Sequence, residues 1–404
     1  MGAEPIRANA CVGDNGQPNY IHYAKGFSAA SNMLLEKVLS EDPDAYVDEL
    51  IYPICFNMRH SVELRLKGAI EELIELSNFR DKNLSFDTSK SHDIDNIWSF
   101  FKVNAPEFDE RYQEVILSMN QTISDIADVD ATGQTFRYPF GKESQKHLVD
   151  IGGVISCRVL WIKFRELEQN LDKLHKLSKF LLREYGLGSF TSKLSRVQLF
   201  SLAMDLPNYR EWKEPDFKQT KSQLKNKYNL SSNDLTKAVN KIKNTYEMAH
   251  YISLEKELLG LTQEQLYVFI EQWIICDSGS AVTWRNKAYE TVSDSISTEY
   301  LAGLNAIFYF SGDLEFCEYY SSTYELELRM AASVIDNEVD AKMNFMHILC
   351  KRNFMENLLK SLYFLHFNEL ADSIVSKYNL TDGYEFIPYA RSRELFELPS
   401  FSGY

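Results

Sequence analysis

An apolar stripe between Ile51 and Leu76 decides more about the fold than any other stretch of this chain. Its members lie three or four residues apart: Ile51, Cys55, Met58, Val62, Leu66, Ala69, Leu73 and Leu76. Residues at that spacing share one face of an α-helix, so the stripe predicts a long helix with one face buried. We expect Pro53 in its first turn, where the missing N–H leaves no hydrogen bond unmade.

Helical patterns continue along the chain, and residues that make tight turns are scarce. The 404 residues include 17 glycines and 10 prolines, whereas a β-sandwich or barrel needs many more turns. Capping boxes are indicated at Ser231 with Asp234 and at Thr262 with Gln265. The sequence therefore predicts an all-α protein. The expected divisions are a loose lead-in at 1–19 and helical domains at about 20–190, 191–255 and 256–404.

A long helix from about Gln145 to Tyr185 carries a second apolar pattern, with alternating spacings of four and three residues. The pattern comprises Leu160, Phe164, Leu167, Leu171, Leu174 and Leu181, with Ser178 as a polar interruption. Such spacing is typical of a coiled-coil seam. Two interpretations stay open: the seam packs against another helix of the same domain, or it joins two copies of the chain.

Charge and composition exclude several classes of protein. With 45% hydrophobic residues the chain can form a core and is not a disordered polymer. Its net charge of −15 argues against binding nucleic acid or an anionic membrane over the whole surface, so a nucleic-acid site must be a local basic island. No apolar run reaches the ~18–20 residues that span a bilayer, and no signal peptide is recognised. We therefore expect a soluble cytoplasmic protein that does not bind membranes.

The cysteines and histidines show no pattern typical of a metal site. The six cysteines are scattered without a C-x-x-C pair, so reduced thiols are expected. His347 and Cys350 have the spacing of half a zinc site, but no second pair accompanies them. The sequence thus indicates no metal and no cofactor.

The first candidate for a functional site lies on the long helix itself. Arg59, Glu63 and Lys67 are spaced i, i+4 and i+8 beside the apolar stripe, with His60 next to Arg59. Charges at the edge of a buried face need partners, because an unpaired buried charge is costly. The arrangement fits either an intrahelical ion ladder or a functional polar pocket.

Two further segments carry polar groups of similar interest. Ser91 is expected to cap the next helix, which would place His92 and Asp93 in its first turn. There His92 would suit an acid, a base or a phosphate contact, or would simply belong to the helix start. Arg137 lies between aromatic residues in the string FRYPFG, where it would suit stacking on a base or holding a phosphate.

Together, the strings RHSVELRLKG, SHDIDNIW and FRYPFG, followed by a long helix, resemble the HEPN superfamily of bacterial all-α domains. The resemblance covers about 20–190, and a weaker likeness continues to about 252. It implies a helical bundle and a homodimer whose paired sites face each other. It also implies metal-independent ribonuclease activity in anti-phage or toxin–antitoxin defence. The site would comprise Arg59, His92 and Arg137. The supporting residues would be His60, Glu63, Lys67 and Asp93.

The chain departs from the HEPN ribonuclease signature, which is an Arg followed by a His after four to six residues. None of its eight histidines has an Arg at that distance upstream. Two functions are therefore carried forward. One is an RNA-targeting effector that cleaves RNA without a metal. The other is a non-catalytic HEPN-like binding or scaffold protein that engages nucleic acid, a nucleotide or a protein partner.

A basic island stands out between 217 and 246, where seven lysines face one acid, Asp234. Three helices with a short connection before the last resemble a helix-turn-helix unit. The last helix places four polar side chains opposite its apolar face, and the helix before it adds two lysines. A recognition helix would present such groups to phosphates and bases, although charged faces are usually only solvated. The predicted nucleic-acid contacts are Lys221, Lys225, Lys237, Asn240, Lys241 and Asn244.

Overall fold

The computed structural model describes seven stretches of the chain: 5–16, 18–40, 42–140, 147–148, 153–278, 282–381 and 383–404, without the side chains of 277–278 and 282–286. Within these stretches the regular structure is entirely helical and contains no β-strand. The prediction of an all-α protein is confirmed. The chain divides into two compact units, Met1–Gly186 with Phe401–Gly403, and Leu187–Ser400 with Tyr404.

The first unit is built from five long α-helices. They are α1 (Tyr20–Leu39), α2 (Val47–Phe79), α3 (Ile94–Phe108), α4 (Tyr112–Asp130) and α5 (Cys157–Gly186). The helix α2 packs against α1, α3 and α5, and α4 packs against α3 and α5. This central position explains why α2 carries the longest apolar stripe of the sequence.

The helix α2 is longer than its stripe. Most of the stripe is buried, with Val62, Leu66 and Leu73 at 0% exposure. The expected position of Pro53 in the first turn is wrong. Because α2 begins at Val47, Pro53 lies in the second turn. The N–H that proline lacks would have met the carbonyl of Glu49, and both residues are exposed, where water can replace the lost hydrogen bond.

The seam of α5 packs inside the first unit. Phe164, Leu167 and Leu171 are each 2% exposed, and α5 lies against α1, α2 and α4. The polar interruption, Ser178, is fully buried and accepts a hydrogen bond from the hydroxyl of Tyr112 at 3.2 Å. Packing within the domain therefore accounts for the seam without a second copy. The predicted start of this helix at about 145 lies outside the described residues.

The second unit contains twelve α-helices in the part of the chain that the structure describes. Their bounds are α6 (Arg196–Asp205), α7 (Phe217–Lys227), α8 (Ser232–Asn244), α9 (Tyr246–Tyr251), α10 (Gln263–Ser278), α11 (Val282–Val292), α12 (Thr298–Tyr309), α13 (Glu318–Val334), α14 (Glu338–Leu349), α15 (Phe354–Phe364), α16 (Asn368–Lys377) and α17 (Ile387–Arg391). One apolar cluster extends from Leu194 to Ile252 and a larger one from Tyr246 to Phe396. Both expected capping boxes are present, at Ser231 and at Thr262.

One predicted helix of the second unit is in fact two. The periodicity indicates a single helix over 352–377, but α15 ends at Phe364 and α16 begins at Asn368. Between them His366 adopts a left-handed conformation, with φ of 65°. The N–H of Phe367 then bonds back to the carbonyl of Leu362 at 2.9 Å, which closes α15. Left-handed residues at helix ends are usually glycine, so nothing in this stretch indicated the break.

Short 3-10 helices complete the described structure. They are Ile6–Ala8, Gly13–Asn15, Tyr209–Lys213, Ser293–Ser295, Phe310–Gly312, Glu394–Phe396 and Ser400–Ser402. None of the helices within the described stretches combines the length and the apolar character needed to cross a membrane.

Candidate functional site

The candidate site of the first unit is centred on the carboxylate of Glu63. This residue is 2% exposed, at the middle of α2. One carboxylate oxygen accepts from the guanidinium of Arg59, and His60 Nδ1 lies 3.7 Å from it. The other oxygen lies 2.8 Å from Nζ of Lys67 and 3.0 Å from Nδ1 of His92. Four nitrogen-bearing side chains thus surround one buried carboxylate.

These neighbours keep Glu63 ionised. Burial alone would raise the pKa of its carboxyl group, because a charge is poorly solvated in the protein interior. The surrounding hydrogen bonds and positive charges outweigh burial and hold this pKa well below its usual range. Glu63 is therefore an acceptor at neutral pH and not a proton donor.

Arg59 uses its guanidinium to tie three segments together. It is 4% exposed, and its Nε donates to the carbonyl of Asp130 at 3.1 Å. Its NH2 group donates to the carbonyls of Ala131, at 2.6 Å, and His92. With Glu63 also bound, the guanidinium fixes the start of α3 and the end of α4 against α2. Arg59 is thus a positioning residue, and the structure does not leave its guanidinium free for a substrate.

The loop after α4 is shaped to pass over Arg59. Gly133 has φ of 77°, a conformation that other residues rarely adopt, and a Cβ built on it would lie 3.1 Å from NH1 of Arg59. The carboxylate of Asp130 holds the same loop by accepting from the N–H groups of Gln134, at 2.9 Å, and Thr135, at 3.1 Å. Glycine is therefore required here both by the turn and by the close approach.

His92 differs from the rest of the cluster because its ring reaches solvent. Its side chain is 65% exposed, whereas that of Glu63 is 3% exposed. Arg59 binds its carbonyl and Glu63 binds its Nδ1, so the residue is held at both ends. Its Nε2 has no hydrogen-bond partner among the residues that the structure describes. The arrangement is an imidazole oriented by a buried carboxylate, with the second nitrogen directed away from that carboxylate.

The cap of α3 is not the one predicted. Ser91 was expected at this position, but the N-cap is Asp93, whose carboxylate accepts from the N–H groups of Asp95, at 3.0 Å, and Asn96, at 3.2 Å. The apolar periodicity begins at Ile94, so the residue directly before it is the better placed to cap. Asp93 therefore stabilises the helix start, and His92 lies just outside the helix.

His60 and Lys67 complete the buried side of the cluster. The ring of His60 stacks on Phe56 at 5.8 Å and meets Phe27 edge-on at 4.5 Å between centroids. Lys67 is 3% exposed and reaches only the Glu63 side of the cluster in the contacts described. Lys67 therefore supplies a charge and His60 supplies packing on the buried side, while His92 gives the cluster an exposed end.

Arg137 is separate from this cluster. It is exposed, and its guanidinium lies 5.2 Å from the ring centre of its neighbour Tyr138. Its N–H bonds to the carbonyl of Gln134 at 3.2 Å, within the loop that covers Arg59. The contacts within the described part of the unit join Arg59, Glu63 and His92, but none joins Arg137 to them. The last residue of its string, Gly141, lies outside the described residues.

Comparison of the chain with models of protein families, with curated proteins and with solved structures found no match. The chemistry of the site therefore rests on its own groups. No group of three side chains able to hold a metal ion occurs within the described stretches. The cluster offers an exposed imidazole with a buried anion behind it, and the exposed guanidinium of Arg137 lies on the adjacent loop, outside the cluster.

In the second unit, the structure brings together four of the six predicted nucleic-acid contacts. Lys237, Asn240, Lys241 and Asn244 are exposed on α8 and line one cleft of about 570 Å³. Lys221 and Lys225 do not line this cleft; the first lies over the ring of Phe217 at 4.7 Å, and the second bonds to the hydroxyl of Ser232 at 3.1 Å.

Sequence reasoning missed the groups that face these predicted residues. The far wall of the cleft contains Ser321 and Ser322 of α13, some eighty residues away in sequence. Likewise, the partners of Arg59 are backbone carbonyls of Asp130 and Ala131. Side-chain patterns carry no signal for a carbonyl, or for a wall that only the fold brings close.

Proposed function

We propose that the protein is a HEPN-like, RNA-targeting effector that cleaves RNA without a metal, with His92 as its acid–base group. The observation that carries this proposal is the exposed imidazole of His92, held by the buried carboxylate of Glu63. Such a pairing fixes the orientation and the tautomer of the ring, which general acid–base catalysis requires.

The reaction would be an intramolecular transfer within the RNA. With Nδ1–H donated to Glu63, Nε2 of His92 would accept the proton of a ribose 2′-hydroxyl. The resulting oxygen attacks the adjacent phosphorus, and the bond to the 5′-oxygen breaks. That oxygen takes up a proton from water, and His92 releases its proton to the solvent. The products are a 2′,3′-cyclic phosphate and a 5′-hydroxyl. The exposed guanidinium of Arg137 is the cation best available to stabilise the phosphorane charge, because Arg59 is already bound.

The test is cleavage of RNA by the purified full chain in EDTA. We expect His92→Ala and His92→Gln to lower the cleavage rate by at least ~100-fold, since a general acid–base group contributes about that much. His22→Ala is the matched control, because His22 is also exposed and also bonded through Nδ1, to Asn19 at 2.7 Å. Absence of cleavage by the wild type, or equal rates for wild type and His92→Ala, would remove the enzyme proposal.

A second candidate, a non-catalytic HEPN-like binding protein, is favoured by the state of Arg59. Its guanidinium is bound by three carbonyls and one carboxylate, as in a purely structural cluster. RNA that is retained but never cut, with equal affinity for wild type and His92→Ala, would support this candidate over the first.

The proposal includes assembly and location. We take the effector to act in the cytoplasm as a homodimer, which would bring two copies of His92 to one substrate. Light scattering on the purified chain measures its mass, and a monomer at all accessible concentrations would remove the dimer from the proposal.

A further inference from the structure

The cleft beside α8 is lined by polar side chains on two walls. One wall is the exposed polar face of α8, and the opposite wall is formed by the first turns of α13. The segment 187–192, which precedes α6, lines a third side. The first wall presents the ammonium groups of Lys237 and Lys241 and the amide of Asn240. The second presents the hydroxyls of Ser321 and Ser322, of which Ser322 also donates to the carbonyl of Glu318 at 3.4 Å. A ligand that satisfies these groups must itself be rich in acceptor oxygens.

The one carboxylate in the lining, that of Glu318, is neutralised from behind. Arg196, 2% exposed, binds both of its oxygens, at 2.8 and 3.0 Å. Burial would raise the pKa of Glu318, but the charge and hydrogen bonds of Arg196 outweigh burial and lower it. The carboxylate therefore stays ionised and paired.

The two lysines supply the unbalanced charge of the cleft. Lys241 Nζ donates to the carbonyl of Gly188 at 2.7 Å. Because an ammonium group has three N–H groups, two remain to donate to a ligand. Asp234 lies one turn before Lys237, but its carboxylate accepts from the hydroxyl and N–H of Ser231 at 2.7 and 3.2 Å. Neither lysine has an ion-pair partner among the residues described. Because Arg196 pairs with Glu318, the two lysines are the charges of the lining without an ion-pair partner.

We propose that this cleft binds a small phosphorylated ligand of nucleotide size. Lys237 and Lys241 would bind the phosphate oxygens, while Asn240 and the ring of Phe190 would contact the remainder of the ligand. Its volume of about 570 Å³ lies within the range of roughly 300–1,000 Å³ typical of small-molecule sites. This site lies in the second unit and does not depend on the proposed ribonuclease.

The same geometry disfavours a nucleic-acid duplex. A recognition helix enters a major groove about 12 Å wide, and its polar face must be open to do so. Here the polar face of α8 already lies across a cleft from Ser321 and Ser322. A ligand must therefore fit between the two walls, which a single nucleotide does and a duplex does not.

The experiment is calorimetric titration of the full chain with AMP, ATP and inorganic phosphate at about 50 mM salt. We expect AMP and ATP to bind, with inorganic phosphate at least ~10-fold weaker because it reaches only the lysines. Lys237→Ala should weaken nucleotide binding at least ~10-fold. Lys218→Ala is the matched control, since Lys218 is exposed on α7 but does not line the cleft, and it should stay within ~2-fold of the wild type.

A second variant tests the cleft by adding a negative charge, whereas Lys237→Ala removes a contact. Ser322→Glu adds a carboxylate at an exposed position of α13, so the fold should survive while nucleotide binding is lost. The proposal is overturned if no nucleotide binds at millimolar concentration, if phosphate binds as tightly as AMP, or if Lys218→Ala weakens binding as much as Lys237→Ala. It is also overturned if a nucleic-acid duplex binds the polar face of α8 and AMP does not displace it. His92→Ala should bind nucleotide normally, which separates this outcome from failure of the ribonuclease proposal.

Discussion

The helices α2 and α8 carry polar side chains at the same helical spacing but in opposite environments. On α2, Arg59, Glu63 and Lys67 are 4%, 2% and 3% exposed. On α8, Lys237 and Lys241 are exposed. The ladder of α2 contains an anion, Glu63, which pairs with both Arg59 and Lys67. That of α8 has one sign only and must face solvent or an anion.

The comparison also shows what burial of charge requires. Taking ions out of water costs several kcal/mol each, and mutual attraction offsets this only when further hydrogen bonds are made. Around α2 those bonds come from the carbonyls of His92, Asp130 and Ala131. Beside α8, the carboxylate that lines the cleft is that of Glu318, and Arg196 already binds it.

The largest effect should come from removing the shared anion of α2. Glu63→Gln keeps the size of the side chain but leaves Arg59 and Lys67 buried without a counter-charge. We expect the free energy of unfolding to fall by about 3–5 kcal/mol, the usual cost of breaking a buried ion pair. Urea unfolding followed by circular dichroism measures this change. A loss below ~1 kcal/mol would mean that the cluster is far better hydrated than its burial indicates.

Acid titration provides the control for that variant. Because the pKa of Glu63 is lowered by folding, its contribution to stability is complete above its unfolded value of about 4.5 and is lost as the pH falls towards the folded value. In that window the unfolded chain binds the proton and the folded chain does not. Over this range Glu63 should lower the free energy of unfolding of the wild type by about 1.4 kcal/mol for each unit by which the pH is decreased. Glu63→Gln should lack this part of the slope, and an unchanged slope would contradict the assignment.

The sequence predicted the ladder of α2 better than its surroundings. Spacing placed Arg59, Glu63 and Lys67 on one face, and the neighbouring apolar residues correctly indicated burial. Nothing in the pattern showed that Arg59 would be bound by backbone carbonyls and thus be unavailable to a substrate. Proximity of His92 to Glu63 follows from the packing of α3 on α2, which periodicity cannot measure.

On α8 the exposed positions were predicted, but not what faces them. The apolar face of Leu235, Ala238 and Ile242 fixes which side chains point outward, so Lys237 and Lys241 were assigned correctly as exposed. The opposite wall depends on the packing of α13, distant in sequence. The pattern of side chains also could not predict a helix boundary that depends on backbone conformation, such as the break at the left-handed His366.

An intermediate effect on the free energy of unfolding should follow from adding a methyl group to the loop that passes over Arg59. Gly133→Ala places a methyl group 3.1 Å from NH1 of Arg59 at a residue with φ of 77°. We expect a loss of about 1–2 kcal/mol, since a left-handed conformation alone costs roughly that much for a residue with a Cβ. Gly26→Ala is the matched control: it lies within α1, a Cβ there meets nothing within 4 Å, and alanine should stabilise the helix by about 0.5–1 kcal/mol. Equal effects of the two changes in urea unfolding would show that neither the left-handed backbone nor the contact with Arg59 restricts residue 133.

The smallest effect on stability should come from reversing a charge on α8. Lys237→Glu lies on an exposed face, where substitutions usually change the free energy of unfolding by less than ~0.5 kcal/mol. The new carboxylate would stand one turn before Lys241, in the order that stabilises a helix by a few tenths of a kcal/mol. It would therefore offset the loss of the lysine, in contrast to Glu63→Gln on α2. A drop above ~1.5 kcal/mol in urea unfolding would mean that Lys237 is paired within the fold. The contrast between a buried ladder that holds an anion and an exposed one without a paired anion would then fail.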